Sequence, residues 1–138
     1  MELDLTLPAF APLATALLVD DDEDIVYLLQ LLLLRDGFIV HTATNGRDAK
    51  EFIESANPTD SVIMDLILTY VSGFELITTI LEDRQWKDVP VIVLSGKVTE
   101  LDVVRALDIG ANDYVTKPYS PQELSARIKR HLNLQRSA

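Results

Sequence analysis

The 138-residue chain contains no cysteine, and that absence removes disulfide frameworks, thiolate zinc sites, iron–sulfur clusters and cysteine nucleophiles. It is also short of positive charge. Twelve lysines and arginines face 22 aspartates and glutamates, for a formal charge of −10, a poor start for gripping nucleic acid through its phosphates. No apolar run reaches membrane length. The greasiest stretch, Ile25 to Leu34, has nine apolar residues in ten, where a span needs about 20. An acidic cluster and Arg35-Asp36 bracket it, so it is expected to form a buried helix. Met1 to Leu13 lacks the basic start and small-residue cleavage site of a secretory signal. Residues 1–13, with Pro8 and Pro12, are read as an irregular N-terminal extension of a cytoplasmic protein with no membrane contact. Internal repeats and low-complexity tracts are also missing.

What is present suits one compact domain. Apolar residues make up 48%, and a chain near 150 residues buries roughly 68–70% of its unfolded surface, so neither a disulfide nor a structural metal is needed for stability. The charge is unevenly spread. Asp20, Asp21, Asp22, Glu23 and Asp24 carry half of the net negative charge, whereas the stretch from Lys117 onward is basic through Lys117, Arg127, Lys129, Arg130 and Arg136.

From Ala14 onward, short apolar runs alternate with amphipathic segments of helix length, the pattern of βαβ units around a parallel sheet. Strands are expected at 16–19, 38–43, 61–64, 89–94 and 114–116. Helices are expected at 25–34, 45–55, 73–81 and 100–109, with a last one opening at Ser120-Pro121. Gly37 and Gly110 mark helix ends. Ser120, Pro121 and Glu123 form the signature of a capping box with proline in the first turn. Right-handed crossovers then put helices on both faces and every strand's C-terminal end on one edge.

That edge is where open α/β sheets bind ligands, and the residues leaving the strands there are chemically loaded. Strand one delivers Asp20 and Asp21, strand three Asp65, strand four Ser95 and strand five Lys117. Two unit charges ~4 Å apart repel by about 4 kcal/mol at an effective dielectric near 20, so converging carboxylates call for a cation or raised pKa values. Mg²⁺ suits them because it takes only one or two carboxylates and keeps positions for phosphate oxygens. A carboxylate beside a divalent ion, a lysine and a hydroxyl is an arrangement for phosphoryl transfer, with aspartate as the nucleophile.

In order along the chain stand Leu17-Leu18-Val19-Asp20-Asp21, Val62-Ile63-Met64-Asp65, Val91-Ile92-Val93-Leu94-Ser95-Gly96, Gly110-Ala111-Asn112-Asp113-Tyr114 and Thr116-Lys117-Pro118-Tyr119. With these pieces the chain resembles the response-regulator receiver domains of two-component signalling, over residues 14–136. The resemblance implies a three-layer α/β/α, flavodoxin-like fold with a five-stranded parallel sheet in the order 2-1-3-4-5. It implies that Asp65 is the phosphoacceptor, served by a phosphohistidine of a histidine kinase or phosphotransfer protein. Asp20, Asp21, Asp65 and the backbone carbonyl of Ile67 would hold Mg²⁺. Lys117 would bond the phosphate, and Ser95 and Tyr114 would act as the switch pair. Arg105, Asp108, Asp113, Arg127 and Lys129 would lie on the output face made by the fourth helix, fifth strand and fifth helix, through which a homodimer could form.

Two departures from the family's pattern stand out. Thr69 occupies a position, four residues after the acceptor, where the family commonly has proline, so the loop is expected to be looser and the phosphoryl lifetime to differ. Tyr27, Leu31 and Leu34 sit at positions that are often polar and would extend an apolar partner-facing surface. His41 and His131 have no ligand-like spacing and are read as structural. Two competing functions remain at this point. One is a degenerate receiver that binds partners without phosphorylation. The other is a Mg²⁺-dependent phosphatase of haloacid-dehalogenase type, for which Ile67 stands where a second carboxylate is required.

Overall fold

The computed structural model describes residues 14–96, 99–117 and 119–136, the last four of these by backbone only; residues 1–13, expected as an extension, lie outside them. Five strands, β1 (Ala14–Val19), β2 (Phe38–Ala43), β3 (Ser61–Met64), β4 (Val91–Ser95) and β5 (Asp113–Thr116), alternate with α1 (Glu23–Arg35), α2 (Gly46–Ser55), α3 (Gly73–Glu82), α4 (Glu100–Ile109) and α5 (Pro121–Arg136). The strands form one parallel sheet in the order β2-β1-β3-β4-β5, as the resemblance implies.

The central strands are buried on both faces, which is why they read as nearly unbroken apolar runs. Alternation along β1 sorts the side chains into two cores. Ala14, Ala16 and Leu18 face α1 and α5, packing with Leu29, Leu33, Leu124 and Ile128. Leu17 and Val19 face α2, α3 and α4, packing with Ile53, Leu76, Ile77 and Ile80. Each fully buried aliphatic side chain contributes about 1.5–3 kcal/mol. At the end of the sheet away from the strand exits, Trp86 is 0% exposed. Its ring meets Phe52 edge-on, and its indole N–H donates to the Ala56 carbonyl at 3.2 Å.

The helix ends follow local chemistry. Asp22, Asn45, Ser72 and Thr99 each accept a backbone N–H from the first turn of the helix that follows, satisfying donors that no intrahelical carbonyl can reach. Thr99 and Asp102 complete a reciprocal capping box that the sequence reading did not single out. At α5 the Ser120 hydroxyl accepts from Glu123 N–H, the forward half of the expected box, while the Glu123 carboxylate accepts from Arg127. Gly37 takes φ +93° directly after the Asp36 C-cap.

Two expectations need correction. β4 begins at Val91, not Val89, because Val89 N–H closes a turn onto Trp86 and Pro90 has no N–H for a ladder. The apolar run in α1 is not buried all round. Only Val26, Leu29 and Leu33 are buried in it, a stripe at helical spacing, and Leu28 is 64% exposed. Composition made the helix apolar; its period decided which side faces the core.

Candidate functional site

Register brings the strand exits together. Val19 of β1 pairs with Met64 of β3, and Ser95 of β4 with Thr116 of β5, so Asp20 lies beside Asp65, and Lys117 follows the partner of Ser95. Asp20, Asp65, Ser95 and Lys117, with Asp21, Asp22, Ile25, Ile67 and Gly96, line an open cleft of about 660 Å³.

Asp65 is held from two sides. The Ser95 hydroxyl donates to Oδ1 at 2.8 Å, and the Lys117 ammonium lies 3.4 Å from Oδ2. The same ammonium donates to Oδ2 of Asp20 at 3.0 Å. Asp20 is only 3% exposed, and its Oδ1 accepts Asp22 N–H at 2.9 Å. A buried carboxylate needs such partners, since an unpaired buried charge is heavily penalised. Burial pulls the Lys117 ammonium toward a lower pKa, but Asp20 and then Asp65 outweigh it and hold its pKa above the ordinary lysine value. The cation that the acidic cluster demanded is therefore supplied in part by the chain itself.

Asp21 lies apart from this pair, exposed at the cleft rim, with its Oδ2 accepting Thr69 N–H at 3.0 Å. Ile67, 59% exposed, donates its N–H to Asp65 Oδ1 at 3.2 Å. Among the described residues no three or more His, Cys, Asp or Glu side chains gather into a cage. The donor set still fits Mg²⁺, an ion that uses few carboxylates, accepts backbone carbonyls and keeps waters: Asp21 and Asp65 border one cleft, and Lys117 relieves Asp20.

The loop between Asp65 and α3 is expected to be loose and is instead anchored. Gly46 N–H and Val71 N–H both donate to the Thr69 carbonyl, at 3.0 and 2.8 Å. The second bond closes a γ-turn centred on Tyr70, whose φ is +70°, a conformation that costs a non-glycine residue about 1–3 kcal/mol. The Tyr70 ring lies under the Arg47 guanidinium, 4.3 Å from Cζ to the ring centre. Gly46 is required at this contact. A Cβ there would lie 1.8 Å from the Val71 carbonyl oxygen. Only Thr69 among these anchors carried a signal in the sequence, as a departure from pattern. The Arg47–Tyr70 stack had none.

Tyr114, beside the site, is half-buried and donates its hydroxyl to the Ser95 backbone carbonyl at 3.3 Å. Burial, then the Asp65 and Asp102 carboxylates, raise its pKa. The five residues expected on the output face lie on α4, β5 and α5 and take different partners. Arg127 donates to Asp113 at 3.1 and 3.2 Å, and His131, missed as a partner, sits 3.1 Å from the same carboxylate. Arg105 stacks on Phe74 of α3 at 4.0 Å, Lys129 lies 3.9 Å from Asp36 at the end of α1, and Asp108 is exposed on α4.

Comparison with known proteins agrees with this geometry. Residues 16–129 match the family model of the response regulator receiver domain. The chain is 42% identical over 114 residues to the alkaline phosphatase synthesis transcriptional regulatory protein PhoP of Bacillus subtilis, covering 82% of this chain and 46% of that one. It is 38% identical over 112 residues to the response regulator SaeR of Staphylococcus aureus, covering 81% and 47%. The chain thus spans about half the length of these relatives. Among solved structures, a response regulator receiver domain protein from Clostridium thermocellum has a TM-score of 0.81 at 30% identity, covering 90% of this chain and 98% of that one. The receiver domain of the sensor histidine kinase PA1611 from Pseudomonas aeruginosa, solved with magnesium coordinated in its active-site cleft, has a TM-score of 0.79 at 26% identity, covering 87% and 98%. No helix among the described residues is long and apolar enough to cross a membrane. With its 2-1-3-4-5 sheet and its acidic cleft closed by Lys117, the chain belongs to the receiver-domain family of two-component response regulators.

Proposed function

We propose that Asp65 is the phosphoacceptor of this receiver and that its phosphorylation is a signalling event, not a step in turnover. The observation that carries this reading is the clamp on Asp65, with Ser95 on one oxygen at 2.8 Å and Lys117 near the other at 3.4 Å. The donor is a phosphohistidine of a histidine kinase or phosphotransfer protein. An Asp65 oxygen attacks phosphorus, the P–N bond to the imidazole breaks, and the imidazole leaves carrying the electron pair. Asp65 becomes an acyl phosphate. Asp21, Asp65 and the Ile67 carbonyl, with Asp20 behind them, would hold Mg²⁺, which supplies charge neutralisation for the transferring oxygens. Lys117 offsets that charge from the opposite side.

After transfer, Ser95 exchanges its bond to the Asp65 carboxylate for one to the phosphoryl group. Tyr114 is tied to the same residue through the Ser95 carbonyl, so it follows, and the change reaches the α4-β5-α5 face where a partner or second copy docks. Turnover of phosphate esters is disfavoured by Ile67, an exposed aliphatic side chain where the phosphatase reading requires a carboxylate. We place the domain in the cytoplasm and assign no nucleic acid contact to it, in keeping with its acidity.

Incubation with Mg²⁺ and acetyl phosphate tests this reading by mass spectrometry. One added phosphoryl group, lost in Asp65→Asn, is expected. An unchanged mass in the wild type would leave the interaction-only receiver as the better reading, and many turnovers of a phosphate ester per molecule would favour the phosphatase.

A further inference from the structure

The Thr69 anchor reaches the proposed metal site, and the sequence explains why this chain can make it. A proline at that position, common in the family, has no N–H. Thr69 has one, and it donates to Asp21 Oδ2 at 3.0 Å. The donor is held on its other side as well: the Thr69 carbonyl receives Gly46 N–H and Val71 N–H, while Tyr70, 73% exposed, is pinned in its positive-φ conformation by Arg47. A line of contacts therefore runs from the start of α2 through the loop to one carboxylate at the cleft rim.

We propose that Thr69 is a positioning residue for the metal site, its backbone N–H orienting the Asp21 carboxylate toward a bound Mg²⁺, with the Arg47–Tyr70 stack holding that N–H in place. This rests on the reading of Asp21 as a metal ligand given above. A ligand carboxylate with one oxygen already engaged presents the other without having to lose side-chain freedom on binding. Asp21 is exposed, so without the amide it would have to be ordered by the metal alone.

The test is Mg²⁺ binding to the unphosphorylated protein, followed by calorimetry and by the amide resonances of Asp21 and Ile67. Thr69→Pro removes the donor and is expected to weaken Mg²⁺ binding about 10-fold, the lower end of what loss of a supporting hydrogen bond to a metal ligand costs. Thr69→Ala keeps the amide and is expected to bind as the wild type does. Arg47→Ala, at a residue that does not line the cleft, is expected to weaken binding in the same direction by a smaller factor. Equal Mg²⁺ affinity in the wild type and Thr69→Pro would overturn the proposal while leaving the metal site intact. Equal weakening by Thr69→Ala would also overturn it, since the side chain would then be responsible. Unchanged affinity in Arg47→Ala would overturn the role of the stack. A wild type that binds no Mg²⁺ at all would instead remove the reading on which the proposal stands. Thermal unfolding of each variant separates a local loss of binding from general damage.

Discussion

Lys117 lies closer to Asp20, at 3.0 Å, than to Asp65, at 3.4 Å. The shorter contact goes to the more buried carboxylate, which water serves least. The longer one leaves Asp65 more open to a change of partner. In the proposed reading Lys117 therefore has two duties, one to stability through Asp20 and one to chemistry at Asp65.

Lys117→Ala is expected to destabilise the fold by about 3 kcal/mol, the cost of leaving a buried carboxylate without its counter-charge. Adding Asp20→Asn should recover most of that loss without restoring phosphorylation of Asp65. Urea titrations of both variants at low Mg²⁺ check this. Additive losses in the double variant would show that the two side chains are not coupled.

Acid should weaken the β5–α5 contact. Burial raises the Asp113 pKa, but His131, the Tyr114 N–H and Arg127 together lower it below the ordinary aspartate value. A depressed folded-state pKa gives stability that is present above the unfolded value near ~3.9 and is lost as pH falls through the folded one. Asp113→Asn should therefore be less stable than the wild type at neutral pH, and the gap should close as pH falls through the lowered folded-state pKa. Urea midpoints across that range provide the comparison, and a constant gap would contradict the assignment.

Gly46→Ala places a methyl group against the Val71 carbonyl with no room to take it. Because the opposing atom is backbone, the loop has to move, and a loss of about 1–3 kcal/mol is expected. The amide resonances of Thr69 and Val71 should shift along with it. A stable variant with unmoved resonances would mean that the contact yields easily.

The two sides of α1 should respond differently to truncation. Leu33→Ala removes a fully buried side chain and should cost about 2–5 kcal/mol, whereas Leu28→Ala, on the exposed side, should stay within about 0.5 kcal/mol. Thermal melts decide. A large loss at Leu28 would mean that the exposed side is covered in solution.

Much of the fold was legible because each signal was local or periodic. β2, β3 and α4 have the bounds that the apolar runs and their stop residues indicate, and the strand exits at Asp20, Asp65, Ser95 and Lys117 converge because parallel topology requires it. What escaped prediction depended on the third dimension. The exposure of Leu28 is set by where α1 rests on the sheet. The Arg47–Tyr70 stack joins α2 to a loop with no shared motif, and His131 finds Asp113 only once α5 packs beside β5. The Thr69 amide is a backbone group, which no side-chain pattern reports.

Trp86, the chain's single tryptophan, is sealed at the pole of the sheet opposite Asp65. Its emission should follow global unfolding and ignore chemistry at the cleft. Tyr114, whose hydroxyl meets the Ser95 carbonyl, and Tyr70, next to Thr69, lie at the other pole beside the proposed phosphorylation site. Two optical channels are thus separated by the thickness of the sheet's long axis, so folding and signalling can be followed in one sample without a label.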